Sequence, residues 1–305
     1  MVNRAGLANL YIHHANEYSI MGKIKDILRL TRIEHSLMLV IAVVAAEMIA
    51  AGFPGMMTFI LSIITPVFIS MGAFAINDYF DIETDRANKK KNPLIRGSLK
   101  PKDALYITAV SMIIGVAASA FINFYCLAIA VIFAALSVLY SYRLKNMFLL
   151  GNLYIAASMA IVFIFGSYVV SGNLGAAILL IIAMIFASGL AREINGTVRD
   201  MRGDTKIRHV RTLPVIIGRK ASTAIAFALY LIAILITLYL FFEVFPFRYN
   251  LYYGILIVIS DILVFNSALV FLFGEEKRYG RARNTSLGGM GLALIAILIA
   301  TLAYI

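Results

Sequence analysis

One run of nine residues, Asn77-Asp78-Tyr79-Phe80-Asp81-Ile82-Glu83-Thr84-Asp85, concentrates oxygen donors at the edge of a long apolar stretch. If the helix before it continues through the run, residues four apart stack, each step rotating about 40° and rising about 6 Å. Asn77, Asp81 and Asp85 then form one stripe, while Asp78 and Glu83 point elsewhere. A second run, Arg192-Glu193-Ile194-Asn195-Gly196-Thr197-Val198-Arg199-Asp200-Met201-Arg202-Gly203-Asp204, repeats the pattern. Steps of seven and four put Glu193, Asp200 and Asp204 on one face, with Thr197 beside them. Two such stripes of hard oxygen donors suit Mg²⁺, which takes a few carboxylates and leaves room for water and substrate phosphate. Cations stand close by in sequence: Lys91 and Arg96 after the first run, Arg143 and Lys145 between the two, Arg199, Arg202 and Arg211 in and after the second. Carboxylates, Mg²⁺ and Lys/Arg together make a site for a diphosphate.

The elements that must position these residues are membrane helices. Of the 305 residues 62% are hydrophobic and 14% charged, with a mean hydropathy of +0.90. A soluble domain is roughly 45–50% apolar and about 25% charged, so a soluble enzyme, a disordered chain and a secreted disulfide scaffold are excluded. Nine apolar stretches, 36–51, 57–76, 103–122, 126–142, 150–170, 175–192, 221–241, 251–273 and 286–304, approach the length that a hydrocarbon core of about 30 Å requires. The expected fold is all-α: a single polytopic domain over 1–305, nine transmembrane helices around a central cavity. Residues 1–20 lack a long apolar run and do not read as a cleaved signal peptide. With the N-terminus inside and the sides alternating, 26 of the 27 Lys and Arg residues fall on the inner side, Arg248 excepted. That asymmetry predicts N-terminus in and C-terminus out. It also assigns the net charge of +11 to cytoplasmic segments rather than to nucleic acid. The cytoplasmic parts are then an N-terminal segment 1–35 and two long loops, 77–102 and 193–220, which follow even-numbered helices and carry the two Asp runs. Any one of these Asp residues alone is better explained as a solvated or salt-bridged acid; the matched spacing of two runs on one side of the membrane favours a shared site.

The remaining polar residues have plainer readings. Glu47 and Asp261 lie in or near spans, toward the outer side, and read as structural despite the cost of intramembrane charge. Cys126, the only cysteine, reads as apolar filler; it allows no intrachain disulfide, and with four histidines argues against zinc or haem. His35 at the inner start of the first span and His209 in the second loop could each contact a phosphate or serve structure. Lys89–Lys91 also reads as a topology signal. Tyr140 and Tyr142 fit an interfacial aromatic belt as well as a substrate role.

The first run matches the N-D-x-x-D-x-x-x-D pattern of the UbiA superfamily of intramembrane prenyltransferases at Asn77, Asp78, Asp81 and Asp85, followed by Asn92-Pro93 and Arg96-Gly97. Tyr140-Ser141-Tyr142-Arg143-Leu144-Lys145 resembles its Y-S-x-x-L-K element, Asp200 and Asp204 its second D-x-x-x-D motif, and Thr212-Leu213-Pro214 follows as in many members. With nine helices, the resemblance covers nearly the whole chain. It implies Mg²⁺-dependent transfer of an isoprenyl group, geranylgeranyl foremost, from its diphosphate to a lipophilic acceptor through an allylic carbocation, at the cytoplasmic side of the cell membrane. Asn77, Asp81, Asp85, Asp200 and Asp204 would hold the metal, supported by Asp78. Lys91, Arg96, Tyr140, Lys145 and Arg199 would stabilise the departing diphosphate, with Glu193, Arg202 and His35 in secondary positions. Arg192-Glu193-Ile194, Gly203-Asp204 and Thr-Leu-Pro are similar to archaeal members that make digeranylgeranylglyceryl phosphate, although Thr197 stands where those often carry Asp. Arg32-Ile33-Glu34-His35 looks more like members that prenylate quinone precursors, so both acceptors remain open. A transporter would need charged or broken helices near the midplane, and these spans are smooth. A CDP-alcohol phosphotransferase would need D-G-x-x-A-R, which neither run contains.

Overall fold

A computed structural model of the protein describes residues 21–87, 92–207 and 212–303, with backbone alone for 202–207. Helix α1 covers 21–30. It is followed by α2 (Ile33–Ala50), α3 (Met56–Phe80), α4 (Ile82–Ala87), α5 (Pro93–Arg96), α6 (Pro101–Ala120), α7 (Phe124–Tyr142) and α8 (Leu150–Val170). The chain ends with α9 (Ala176–Ile207), α10 (Leu213–Ile217), α11 (Arg219–Glu243), α12 (Leu251–Phe273) and α13 (Tyr279–Leu302). Among the described residues there is no strand, and nine helices are long and apolar enough to cross a membrane: α2, α3, α6 to α9, α11, α12, and α13 with the turn before it. Helices are forced here because hydrocarbon offers no partner for a backbone N–H or C=O, so each must be satisfied within its own segment.

Two boundaries differ most from the expectation. Helix α9 does not end near 192 but runs to Ile207, so the first half of the expected loop 193–220 is helical and carries the second Asp run. Residues 193–207 are polar enough to leave the hydrocarbon, yet Glu, Arg, Met and Lys are all good helix formers, and polarity alone does not end a helix. Helix α13 starts at Tyr279, seven residues before the apolar stretch, because one face of its polar first turns packs on α12: Tyr279, Ala282 and Ser286 are buried, and the Ser267 hydroxyl of α12 donates to the Ala282 carbonyl at 2.8 Å. The expected loop 77–102 is likewise mostly structured, as the end of α3, then α4 and α5.

Lipid is as apolar as leucine, so burying apolar surface does not by itself hold membrane helices together; close backbone approach and interhelical hydrogen bonds do. Helices α3 and α6 meet this way. A Cβ on Gly115 would lie 2.9 Å from the Thr65 carbonyl oxygen, and the Thr108 hydroxyl donates to the Gly72 carbonyl at 3.3 Å. Helices α12 and α13 meet at Gly289, whose carbonyl accepts from the Ser260 hydroxyl at 2.7 Å. The largest apolar core lies among α2, α8, α9, α11, α12 and α13, around Val43, Phe163, Ile181 and Ile297. A smaller one, Leu30, Ala75, Leu94, Leu99 and Ala104, ties α1, the end of α3, α5 and the start of α6 into one unit. That unit positions the first Asp run.

Candidate active site

Helix α3 loses its regular path at Asp81, but the turn is kept: the Asp81 N–H donates to the Asn77 carbonyl at 3.0 Å and the Asp85 N–H to the Asp81 carbonyl at 2.7 Å. The run therefore stays helical enough for its side chains to fall into two pairs rather than one stripe. Asn77 Nδ2 donates to Asp81 Oδ2 at 3.1 Å, the pair expected from a spacing of four. Asp78 does not point elsewhere. It is seven residues from Asp85, nearly two full turns, so the two return to one side. Asn92 Nδ2 bridges them, at 2.9 Å to Asp78 Oδ2 and 3.3 Å to Asp85 Oδ2. Both carboxylates are buried, at 5% and 3% exposure. Asn92 also caps α5, its Oδ1 accepting from the Leu94 N–H at 2.9 Å.

Each pair has a cation from a distant element. Lys145, in the short helical turn Leu144–Asn146 after α7, places Nζ 2.7 Å from Asp81 Oδ1, and both side chains are largely shielded from solvent. Arg32 places Nη2 3.0 Å from Asp78 Oδ1, with its guanidinium 4.7 Å from the centre of the Phe74 ring. The Arg32 backbone is left-handed, φ 47° and ψ 52°, at the joint between α1 and α2. A non-glycine residue is uncommon there and costs roughly 1 kcal/mol or more.

The other expected site residues are placed as follows. Tyr140 stacks on Tyr154, ring centres 4.7 Å apart, one turn before Lys145. Arg96 is exposed and pairs with Asp26 of α1 at 2.7 Å. Arg199 and Asp200 form a two-point pair, both bonds 2.7 Å, on the exposed face of α9. Glu193 lies about two turns deeper on α9, where Oε1 accepts from Arg192 at 2.9 Å and from Arg283 of α13 at 3.4 Å. His35 is exposed, its ring 5.4 Å from that of Phe74. Asp204 lies on α9, with its side chain and that of Arg202 outside the described residues, as is the whole of Lys91. Among the described side chains no three Asp, Glu, His or Cys groups stand together as metal ligands. Arg32 and Asn92 as carboxylate partners were not assigned from the sequence, and Arg32 lies 46 residues from the Asp78 it meets.

Known proteins resemble this chain in sequence and in fold. The model of the UbiA prenyltransferase family matches residues 38–287. A digeranylgeranylglyceryl phosphate synthase from Archaeoglobus fulgidus is 33% identical over 280 residues, 91% of this chain and 95% of that protein. A solved structure of digeranylgeranylglyceryl phosphate synthase in membranes has a TM-score of 0.74 and 29% identity, covering 92% of this chain and 99% of its own. The fold is shared at 18% identity by a UbiA homologue from Archaeoglobus fulgidus bound to DMAPP and Mg²⁺, with a TM-score of 0.63 over 88% of this chain and 99% of that one. A family match across most of the sequence, nine membrane-length helices and a common fold give one conclusion: this chain belongs to the UbiA prenyltransferase family and is a multi-pass membrane enzyme.

Proposed function

We propose that this prenyltransferase moves a geranylgeranyl group from its diphosphate to geranylgeranylglyceryl phosphate, at the cytoplasmic face of the membrane. The observation that carries the site is the Lys145–Asp81 pair, which holds a shielded ammonium against the first carboxylate run. The acceptor is supported by the relative that is 33% identical across 91% of the chain. The side of the membrane is supported by the basic residues that gather at the Asp-motif end of the helices.

The donor set fits Mg²⁺: Asn77, Asp81, Asp85, Asp200 and Asp204 offer only hard oxygens, with no sulfur or imidazole among them. These residues would hold the ion, which would draw charge from the diphosphate oxygens and make diphosphate a better leaving group. Lys145 adds a fixed positive charge beside Asp81, and Arg199 another beside Asp200. Each stabilises negative charge that grows as the allylic C1–O bond breaks. The electron pair of that bond leaves with diphosphate, the acceptor hydroxyl oxygen supplies the pair for the new C–O bond, and its proton passes to solvent or to diphosphate. Apolar helix walls keep water from capturing the allylic cation first.

The test is an assay of the purified protein with Mg²⁺, isoprenyl diphosphates of several lengths, and geranylgeranylglyceryl phosphate or aromatic acids as acceptors, with products read by mass spectrometry. Expected is a digeranylgeranylglyceryl phosphate product, lost on adding EDTA and lost in Asp81→Asn or Asp200→Asn. Full activity in EDTA would sink the metal reading, and prenylation of aromatic acids alone would sink the acceptor.

A further inference from the structure

A second polar cluster lies inside the bundle, deeper than the Asp motifs. On α9, Arg192 and Asn195 are eight and five residues before Asp200, which is about 12 and 8 Å along the axis. Both are buried, at 8% and 1% exposure. Arg283 of α13 reaches the same place by lying over Gly196, where a Cβ would stand 3.3 Å from Arg283 Nε. The two guanidinium groups share one carboxylate oxygen, Glu193 Oε1, at 2.9 and 3.4 Å. One carboxylate neutralises one of two cations. Arg192 Nε, Arg283 Nε and both ends of the Asn195 amide are buried with no hydrogen-bond partner among the described residues. Leaving such donors unmade costs the full desolvation of each group, a burden that a bound anion removes.

We propose that this cluster binds the phosphate of the acceptor lipid. The inference rests on the acceptor reading above and deepens it. A phosphomonoester carries up to two negative charges and three terminal oxygens arranged as a pyramid. Guanidinium forks from two helices and an amide N–H about one turn further along α9 match that shape, whereas one fork suffices for a planar carboxylate. Phosphate is thus held one to two turns below the Asp200 level, and the acceptor hydroxyl is free to reach toward the donor diphosphate. Arg192, Asn195 and Arg283 are specificity-determining residues under this assignment, and the planar carboxylate of an aromatic acid lacks the third oxygen to engage both arginines and the amide at once.

Arg283→Gln, Arg192→Gln and the charge-keeping Arg283→Lys test it in two measurements. The first is KM for geranylgeranylglyceryl phosphate and for geranylgeranyl diphosphate separately. The second is binding of the phosphorylated acceptor and of its dephosphorylated alcohol to detergent-solubilised protein in EDTA without donor. Expected are a rise in acceptor KM of about tenfold or more in the Gln variants with donor KM within about twofold, and partial rescue in Arg283→Lys. Preference for the phosphorylated over the dephosphorylated lipid should fall by a similar factor. Equal rises in both KM values would assign the arginines to the diphosphate and overturn the proposal. So would unchanged binding preference in folded variants. A wild-type enzyme indifferent to the acceptor's phosphate would overturn the acceptor reading itself, which separates the two failures.

Discussion

Asn92 is the most exacting test of the first Asp run, because one side chain makes three bonds there. Its Nδ2 serves two buried carboxylates, Asp78 at 2.9 Å and Asp85 at 3.3 Å, and its Oδ1 caps α5 at 2.9 Å. Asn92→Ala removes all three. A lost cap costs about 1 kcal/mol, and each hydrogen bond to a charged group about 1.5 kcal/mol at the low end suited to the longer contact, giving about 4 kcal/mol for the local unit. Asn92→Asp is nearly the same shape and keeps the cap acceptor, yet it places a third carboxylate where the donor was. Two like charges 3 Å apart repel by about 5 kcal/mol at an effective dielectric constant of 20, so the isosteric change is the more damaging one. The assay is hydrogen exchange of the backbone amides of residues 94–99, in EDTA so that no ion offsets the added charge, together with kcat/KM in Mg²⁺. Exchange should speed up in both variants and more in Asn92→Asp. The loss of kcat/KM in Asn92→Ala should exceed tenfold, with about a thousandfold as its ceiling if all 4 kcal/mol reached the transition state, and the loss in Asn92→Asp should be larger. If Asn92→Asp is as protected and as active as the wild type, or is milder than Asn92→Ala, the bridge between Asp78 and Asp85 does not organise the site.

Lys145→Met removes the ammonium from Asp81, and kcat/KM should fall by roughly a hundredfold or more, measured with saturating acceptor; Lys145→Arg should recover part of it. Arg32→Gly and Arg32→Ala both break the pair with Asp78 and should be equally impaired in turnover, but Gly relieves the left-handed backbone. Arg32→Gly should therefore melt above Arg32→Ala by an amount worth about 1 kcal/mol, and equal melting temperatures would contradict the strain.

The ends of the spans were legible because hydropathy and the bilayer dictate them: α8 and α12 fall at 150–170 and 251–273, as expected. The long extension of α9 was not, because polarity marks departure from lipid and not the end of a helix. At the site, spacing in sequence gave the Asn77–Asp81 contact, which is local. The reading that Asp78 points away from Asp85 failed because a spacing of seven aligns side chains as well as a spacing of four does, and only the fold says which partner arrives. The partners that arrive are remote: Lys145 lies 64 residues from Asp81, and Arg283 lies 90 residues from Glu193. Nothing in the local pattern of a helix specifies a contact whose geometry is set by how helices pack.

That packing links the glycines to the chemistry. In water the hydrophobic effect would draw α3 and α6 together with some freedom in register; in lipid that pull is missing, and the register is fixed by contacts at backbone distance, Gly115 against Thr65 and Thr108 against Gly72. The end of α3 carries Asn77 and Asp78, and the start of α6 follows the α5 turn that carries Asn92. A slip of one helix past the other by one residue, about 1.5 Å, would take Asn92 Nδ2 out of hydrogen-bond range of at least one of its two carboxylates, now 2.9 and 3.3 Å away. The small residues buried deep in the membrane thus set the distances among charged groups at its edge. Enlarging them should lower activity through the Asp78–Asn92–Asp85 bridge even though none of them approaches a substrate.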